Sequence, residues 1–403
     1  MAAAMIYRFG EYSLDPTSYE LRRGDEKVSV EPQVFDVLKF LIENHQRVVS
    51  KDDLIEAVWA GRIVSDATLS SRISAARHAV GDSGEDQEVI RTAPKRGFQF
   101  VADLEAVPFE EGDSDQEKPS NAASSRRQKI KFCASRDGTQ LAFTTTGTGF
   151  PLVRAGHWLT HLEHDWHSPV WRPFLDEFGR HFQVTRYDQR GNGLSDWSVT
   201  DFSLDKFVDD LEAVVEAAGL ERFALYGTSQ GAPISTAYAV RNPQRVSHLI
   251  LHGGYVQGRL VRGSVEEREQ GEAFLTLIRH GWGKLGSPFL KAFSSMYIPG
   301  GTTEQIDSLV ELQRQTTTPE NAAILRAAID SFDVTHLLER VAAPTLVIHA
   351  RNDGVHPLDE GRKLAAGIRD SEFLMLDSAN HAILKHEPAW DTLFSGIKNF
   401  VLE

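Results

Sequence analysis

The sequence predicts an α/β protein in two parts: a small α+β domain over residues 1–105 and a larger α/β domain over 129–403, joined by a flexible linker at 106–128. Three observations carry this reading. Beyond residue 129 short apolar strands alternate with amphipathic helices, the pattern of a mostly parallel sheet covered on both faces. From about 257 to 340 the alternation gives way to helices alone, where such a sheet would carry a helical lid. Between the two parts lie Glu110-Glu-Gly-Asp-Ser-Asp, Pro119-Ser-Asn-Ala-Ala-Ser-Ser and Arg126-Arg127, too polar to bury a core.

With 403 residues, 41% hydrophobic and 25% charged, the chain has the composition of an ordinary globular protein. It opens without a charged-then-apolar leader and contains no apolar run of 18 residues, so a cytoplasmic protein without membrane contact is expected. The single cysteine, Cys133, can close no internal disulfide and is expected as a small buried hydrophobe. A net charge of -14 argues against a general nucleic-acid coat but leaves room for a local basic face.

In the first part, short strands at 7–9, 12–14, 19–22 and 28–30 are broken by Gly10, Pro16 and Gly24-Asp25, giving a small antiparallel meander. Three helices follow. Pro32 opens the first, with Val34, Phe35, Leu38, Leu41 and Ile42 on one face; Ser50, with Asp53 three residues on, caps the second, which buries Leu54, Ile55, Val58 and Trp59. The third keeps Leu69, Ile73, Ala76 and Val80 inward and stops at Gly81. Strands at 89–92 and 98–101 then flank Ala93-Pro-Lys-Arg-Gly97, a basic-tipped hairpin.

This order, with Val48-Val49-Ser50-Lys51, Ser65-Asp66-Ala67-Thr68-Leu69 and Pro94-Lys95-Arg96-Gly97-Phe98-Gln99-Phe100, resembles the winged helix-turn-helix of the OmpR/PhoB type. The resemblance implies DNA binding: Thr68, Ser71, Arg72 and Arg77 on the third helix facing the major groove, Lys95 and Arg96 on the wing. Residues 1–105 hold 13 Lys and Arg against 18 Asp and Glu, the wrong sign overall. Within 67–80 and 91–100, however, stand Arg72, Arg77, Arg91, Lys95 and Arg96 and no acid, so basic charge is concentrated where phosphates would lie. A protein-contact role for this module is the competing reading. No receiver domain precedes the module, against a phosphorylation switch.

In the second part, 129–133 and 140–145 read as an opening hairpin over Asp137-Gly138, followed by strands at 151–155 and 182–188. Ser203 caps a helix that carries Leu204, Phe207, Leu211, Val214 and Val215 and stops at Gly219. Phe223-Ala-Leu-Tyr-Gly-Thr-Ser-Gln-Gly231 then reads as a buried strand, a tight turn and the start of a helix. Glycine stands two before and two after Ser229, as a strained corner that projects a serine hydroxyl requires. Strands at 245–251, 344–350 and 373–376 and a closing helix at 390–401 complete the series.

Residues 129–403 resemble the α/β-hydrolase family on Asp188-Gln-Arg-Gly-Asn-Gly-Leu-Ser195, the Ser229 turn, His349-Ala-Arg-Asn-Asp353 and Ser378-Ala-Asn-His381, in that order. The order serine, acid, histidine belongs to this fold. It implies Ser229 as nucleophile, His381 as its base and Asp353 as the group that orients the imidazole. The expected oxyanion hole combines the N–H of Gln230 with that of Trp158, with His157 as the alternative, because the usual His-Gly appears here reversed as Gly156-His157. His157, His161, His164 and His167, interleaved with Glu163 and Asp165, raise a metal site; nothing supplies further ligands and a Ser-His-Asp site needs none, so no metal or other cofactor is expected. Trp158, Trp171, Phe274, Trp282, Phe289 and Tyr297 are expected in core and pocket walls.

Together these readings predict a DNA-binding transcriptional regulator whose hydrolase half binds, and turns over, a small ester, lactone or related carbonyl effector. The alternatives are a plain serine hydrolase with an interaction module, and a receptor that binds without turnover. A domain of net charge -5 attracts DNA weakly, so the regulator is expected as a homodimer on paired half-sites.

Overall fold

The computed structural model describes residues 5–403 apart from 17–19, 25, 29, 31, 60–65, 95, 109–127, 264 and 285–286. The chain divides into two compact units, Met1–Arg126 and Arg127–Glu403.

The first unit contains β1 (Met5–Phe9), β2 (Tyr12–Asp15), β3 (Glu20–Arg23), β4 (Glu26–Val28), α1 (Pro32–Glu43), α2 (Lys51–Trp59), α3 (Asp66–Ala79), β5 (Ile90–Ala93), β6 (Gly97–Phe100) and β7 (Glu105–Pro108). The meander is a five-stranded antiparallel sheet in the order β4-β3-β2-β1-β7. Its last strand takes in residues 106–108, which the sequence reading had placed in the linker: backbone pairing from Ile6 to Val107 and from Met5 to Pro108 holds them to the sheet. The remainder of the expected linker, 109–127, falls outside the described residues. Periodicity placed the helix faces well. Val34, Phe35, Leu38, Leu41, Ile42, Leu54, Leu69, Ile73, Ala76 and Val80 are all buried and share one core with Phe9, Leu14, Leu21 and Phe100. Ile55 and Val58 are half-buried instead, since α2 turns only part of its apolar face inward.

Ser50 and Asp53 form a reciprocal cap at α2: Asp53 N donates to Ser50 Oγ at 3.0 Å and Ser50 N to Asp53 Oδ2 at 3.2 Å. Gly97, at φ 134°, lets β6 cross against the segment before α2; a Cβ there would lie 1.9 Å from Val49 O.

The second unit contains β8 (Lys131–Ala134), β9 (Gln140–Thr146), β10 (Phe150–Arg154), α4 (Leu162–His167), α5 (Trp171–Gly179), β11 (Phe182–Tyr187), α6 (Leu204–Ala217), β12 (Phe223–Thr228), α7 (Gly231–Arg241) and β13 (Val246–His252). Then come α8 (Arg259–Arg262), α9 (Val265–Gly281), α10 (Pro288–Tyr297), α11 (Thr303–Thr316), α12 (Pro319–Ile329) and a 3-10 turn (Thr335–Arg340), followed by β14 (Thr345–Ala350), α13 (Leu358–Gly367), β15 (Ser371–Leu376) and α14 (Ala389–Leu402). The sheet has eight strands in the order β15-β14-β13-β12-β10-β11-β9-β8, parallel from β15 to β11 and antiparallel at β9 and β8. Every residue of β12 is buried, because helices cover both faces of the centre. Val153 and Leu225 pack on one side, Leu152, Ala224 and Tyr226 on the other. The helices α8–α12 stand together between β13 and β14, over the carboxyl ends of the central strands. Ser203 occupies the N-cap of α6, but its hydroxyl makes no capping bond; instead its backbone N–H donates to Asp201 Oδ1 at 2.9 Å.

Candidate functional site

Ser229 sits at the junction of β12 and α7 with φ at 53°, a left-handed value that costs a side-chain-bearing residue about 1–3 kcal/mol. The neighbouring glycines make the corner possible. A Cβ at Gly227 would meet Gly231 O and Ser235 Oγ at 2.4 Å, and one at Gly231 would meet Gly156 O at 3.0 Å. Ser229 N donates to His252 O and Ala232 N to Ser229 O, which pins the corner between β13 and the first turn of α7.

Asp353 lies just past the end of β14. Its Oδ1 accepts from the N–H groups of Val355 (2.7 Å) and His356 (3.1 Å), and its Oδ2 lies 2.6 Å from His381 Nδ1. Burial pushes the carboxyl up, but the charge and hydrogen bond of His381 and the two backbone donors outweigh it, so Asp353 stays below the usual carboxylate range. His381 follows β15 and is held from the lid side, its N–H donating to Tyr297 O at 2.8 Å. Its Nε2 is buried without a partner. The three residues that the sequence singled out therefore stand in one site. One feature was missed: Ser229 Oγ meets His356, whose Nε2 is 3.5 Å away, while His381 Nε2 makes no hydrogen bond to it. Burial, with the positive charge of His381 and nearby arginines, drives His356 well below the ordinary histidine value, so it is a neutral ring. The signal lay in Val355-His356-Pro357, which puts a ring three residues after the acid.

Gln230 is the N-cap of α7 and Trp158 follows β10. Gln189 ties the two together, its Nε2 donating to Trp158 O at 3.1 Å while its Oε1 accepts from Gln230 Nε2 at 2.8 Å. His157, the alternative donor, turns its ring to Arg154, whose Nη2 donates to His157 Nε2 at 2.9 Å. The family-like loop after β11 contributes this glutamine; the sequence reading had assigned it no role.

Ser229 and His381 open into a cavity walled by Trp158, Trp171, Phe174, Phe293, Tyr297 and Leu312, with Arg154, His252 and Gln313 among its polar members. The lid supplies Phe293 and Tyr297; Trp282 packs edge-on to Trp158 behind them. His157, His161 and His164, which on a single helix would share one face, do not do so. α4 starts only at Leu162, with His161 as its N-cap, so His157 points into this cavity while His161, His164 and His167 line a separate surface cleft. Among the described residues no group of three or more His, Cys, Asp and Glu side chains is arranged to hold a metal.

On the first unit, Ser71 is exposed, Arg72 half-buried and Arg96 exposed at the turn of the β5–β6 hairpin. Thr68 lies on α3, and Lys95 lies outside the described residues. Arg77 is a correction. Its guanidinium is buried and stitches α3 to the hairpin, Nε donating to Ile90 O at 2.9 Å and Nη2 to Thr92 Oγ1 at 2.8 Å, so it is not presented for a groove. Position 77 is on the inner side of α3 with Ile73 and Ala76, while Ser70, Ser71, Ser74 and His78 are exposed.

A family model described as alpha/beta hydrolase fold matches residues 155–388. The chain belongs to the α/β-hydrolase fold family. A second model, "Transcriptional regulatory protein, C terminal", matches residues 25–100, so this hydrolase-fold chain begins with a winged helix of the OmpR/PhoB type. The hydrolase half is 28% identical over 231 residues to "Putative carbamate hydrolase RutD" of Agrobacterium fabrum, covering 55% of this chain and 84% of that protein. The other half is 32% identical over 109 residues to the transcriptional activator CadC of Escherichia coli, covering 27% of this chain and 21% of CadC. Among solved structures, a hydrolase from Pseudomonas aeruginosa superposes with TM-score 0.58 at 22% identity, covering 68% of this chain and 98% of its own. An enol-lactonase from Burkholderia xenovorans gives 0.53 at 21%, covering 68% and 100%. At these identities they speak to the fold. No described helix is long and apolar enough to cross a membrane.

Proposed function

We propose that the protein is a transcriptional regulator whose hydrolase half takes a small carbonyl compound, an ester or lactone, and cleaves it with Ser229, His381 and Asp353. The observation that carries this is the 2.6 Å pairing of His381 with a buried Asp353 beside a serine held at φ 53°, opening on a lidded cavity in a chain that also has a DNA-binding module. In the reaction His381 Nε2 takes the Ser229 proton as Oγ bonds to the carbonyl carbon, then returns it to the leaving alkoxide; water releases the acyl group by the same route. The N–H groups of Gln230 and Trp158, held by Gln189, receive the negative oxygen. Thr68, Ser71 and Arg72 on α3 and Arg96 and Lys95 on the hairpin are the proposed DNA contacts.

Labelling with a fluorophosphonate and hydrolysis of p-nitrophenyl butyrate test the nucleophile. Both are expected in wild type and lost in Ser229→Ala, a change that removes on the order of a millionfold in rate from a triad enzyme. Equal labelling of the two proteins refutes the assignment. A receptor that binds without turnover is the second reading, favoured by Ser229 Oγ resting on His356 rather than His381. A single acylation event without steady-state turnover would select it.

A further inference from the structure

The cavity over Ser229 has an unbalanced wall. Arg154 is 4% exposed and lines it, yet has no ion pair within 4.0 Å and one hydrogen bond among the described residues, to the neutral ring of His157. Its Nε is buried with no partner, and one side of the guanidinium faces the Trp171 ring at 4.8 Å. Asp165, the acid whose charge Arg154 feels, pairs with Arg186 at 3.7 Å instead. A buried cation in this state has lost water and gained no anion, which is costly unless a ligand completes it.

The other orphaned atoms of the same wall agree. Trp158 Nε1 and Trp171 Nε1 are buried donors without acceptors. His252 Nε2 is also buried without a partner: burial pushes this histidine down to about 3, so the ring is neutral, and Tyr226 Oη sits 2.6 Å from its Nδ1; in the tautomer in which the tyrosine donates to Nδ1, Nε2 is a further donor. Against these stand two orphaned acceptors that line the cavity, Gln313 Oε1 and His381 Nε2, the second of them the base of the proposed reaction, and the lining contains no Asp or Glu. Donors in excess, one of them a planar cation, match a ligand rich in acceptors and negatively charged.

We propose that the natural ligand of this cavity carries a carboxylate, bound by Arg154, beside the carbonyl group presented to Ser229. This deepens the reading of the site by naming its substrate class, an ester or lactone of a dicarboxylic or oxo acid. The apolar remainder of the wall, Phe174, Phe293 and Leu312, encloses the chain between the two ends.

The experiment has two arms. In the first, wild type is given p-nitrophenyl butyrate and the mono-p-nitrophenyl esters of succinate, glutarate and adipate. At least one charged ester is expected to be preferred in kcat/KM by on the order of tenfold to a hundredfold, the scale of one buried charge-assisted contact. In Arg154→Gln the preference falls towards one. In the second arm, Ser229→Ala is heated with monomethyl glutarate and with dimethyl glutarate; the charged compound alone is expected to raise Tm, and Arg154→Gln in that background to remove the effect. Equal response to charged and neutral ligands in wild type overturns the proposal, and this comparison needs no Arg154 variant to fold. If the Tm arm discriminates but no ester is turned over, the nucleophile reading fails and the carboxylate site stands. If butyrate is hydrolysed at Ser229 with no preference in either arm, the converse holds.

Discussion

At the scale of single residues the site holds two imidazoles, His356 and His381, whose surroundings suit them to different work in the proposed reaction. His381 has a carboxylate 2.6 Å from its Nδ1, so the charge it acquires on taking a proton is compensated. His356 has no partner on Nδ1 and is buried, and burial with the neighbouring positive charges holds it well below the ordinary histidine value, so the ring is disfavoured as a proton acceptor near neutral pH. His381→Ala is therefore expected to cut p-nitrophenyl butyrate kcat by at least about a thousandfold, and His356→Gln by about tenfold or less. Stopped-flow or plate-reader kinetics decide between them. A larger loss at His356 than at His381 would reverse the assignment of the base.

Asp82 gives a residue-scale prediction of another kind. The N–H groups of Ser83, Glu88, Val89 and Ile90 all donate to its carboxylate, tying the turn after α3 to the start of β5. Burial opposes ionisation, but these four donors prevail and the carboxyl lies below its ordinary value. As pH falls, the unfolded chain takes up the proton first, so the contribution of Asp82 is fully present above about pH 4 and is lost as pH drops through its folded value. Asp82→Asn should lower the Tm of the N-terminal transition at pH 7 and flatten its decline between about pH 5 and 3. Calorimetry on the full chain reads both; an unchanged acid limb would show that other carboxylates govern it.

Among the elements, what the sequence revealed and what it concealed divide by the range of the interaction. The faces of α1 and α3, the Ser50–Asp53 cap, the Gly81 stop and the Gly227–Gly231 corner are local. Each follows from a period or from a backbone demand a few residues long, and so each was legible. Gln230 and Trp158 were named as candidates for the oxyanion hole, but the Gln189 bridge between them depends on how the loop after β11 meets the one after β10. His356 beside Ser229 and the unpaired Arg154 likewise depend on where separate strands end. Arg77 was misread for the same reason: it counts as a basic residue on a basic helix until β5 is packed against α3. Arg77→Ala is expected to cost about 1–3 kcal/mol in stability of the winged helix, through the lost bonds to Ile90 and Thr92. Arg96→Ala, at an exposed hairpin turn, should leave that transition in place while lowering DNA affinity for all sequences and flattening its salt dependence. Calorimetry paired with fluorescence anisotropy on DNA separates the two. A stable Arg77→Ala protein with selectively altered sequence preference would return Arg77 to the groove.

For the whole molecule the question is how a winged helix with 13 basic against 18 acidic residues over 1–105 would hold DNA selectively. The attraction such a domain has for phosphates is small, so a pair of domains on two half-sites is the arrangement that yields specificity. We expect the pairing to come from residues 129–403, whose lid helices α10 and α11 line the cavity while α9 and α12 carry exposed apolar residues such as Leu277 and Ile324. If the ligand changes how two such surfaces meet, filling the cavity changes the spacing of the winged helices and with it operator affinity; a ligand with no differential contact between the two arrangements shifts nothing. Light scattering on the full chain should give a dimer. Anisotropy on operator DNA should give affinities that differ by about five- to a hundredfold between free protein and protein stoichiometrically labelled at Ser229 by fluorophosphonate, with Ser229→Ala indifferent to the reagent. A monomer, or equal affinities before and after labelling, would leave the hydrolase half with chemistry but no hold on the DNA-binding half.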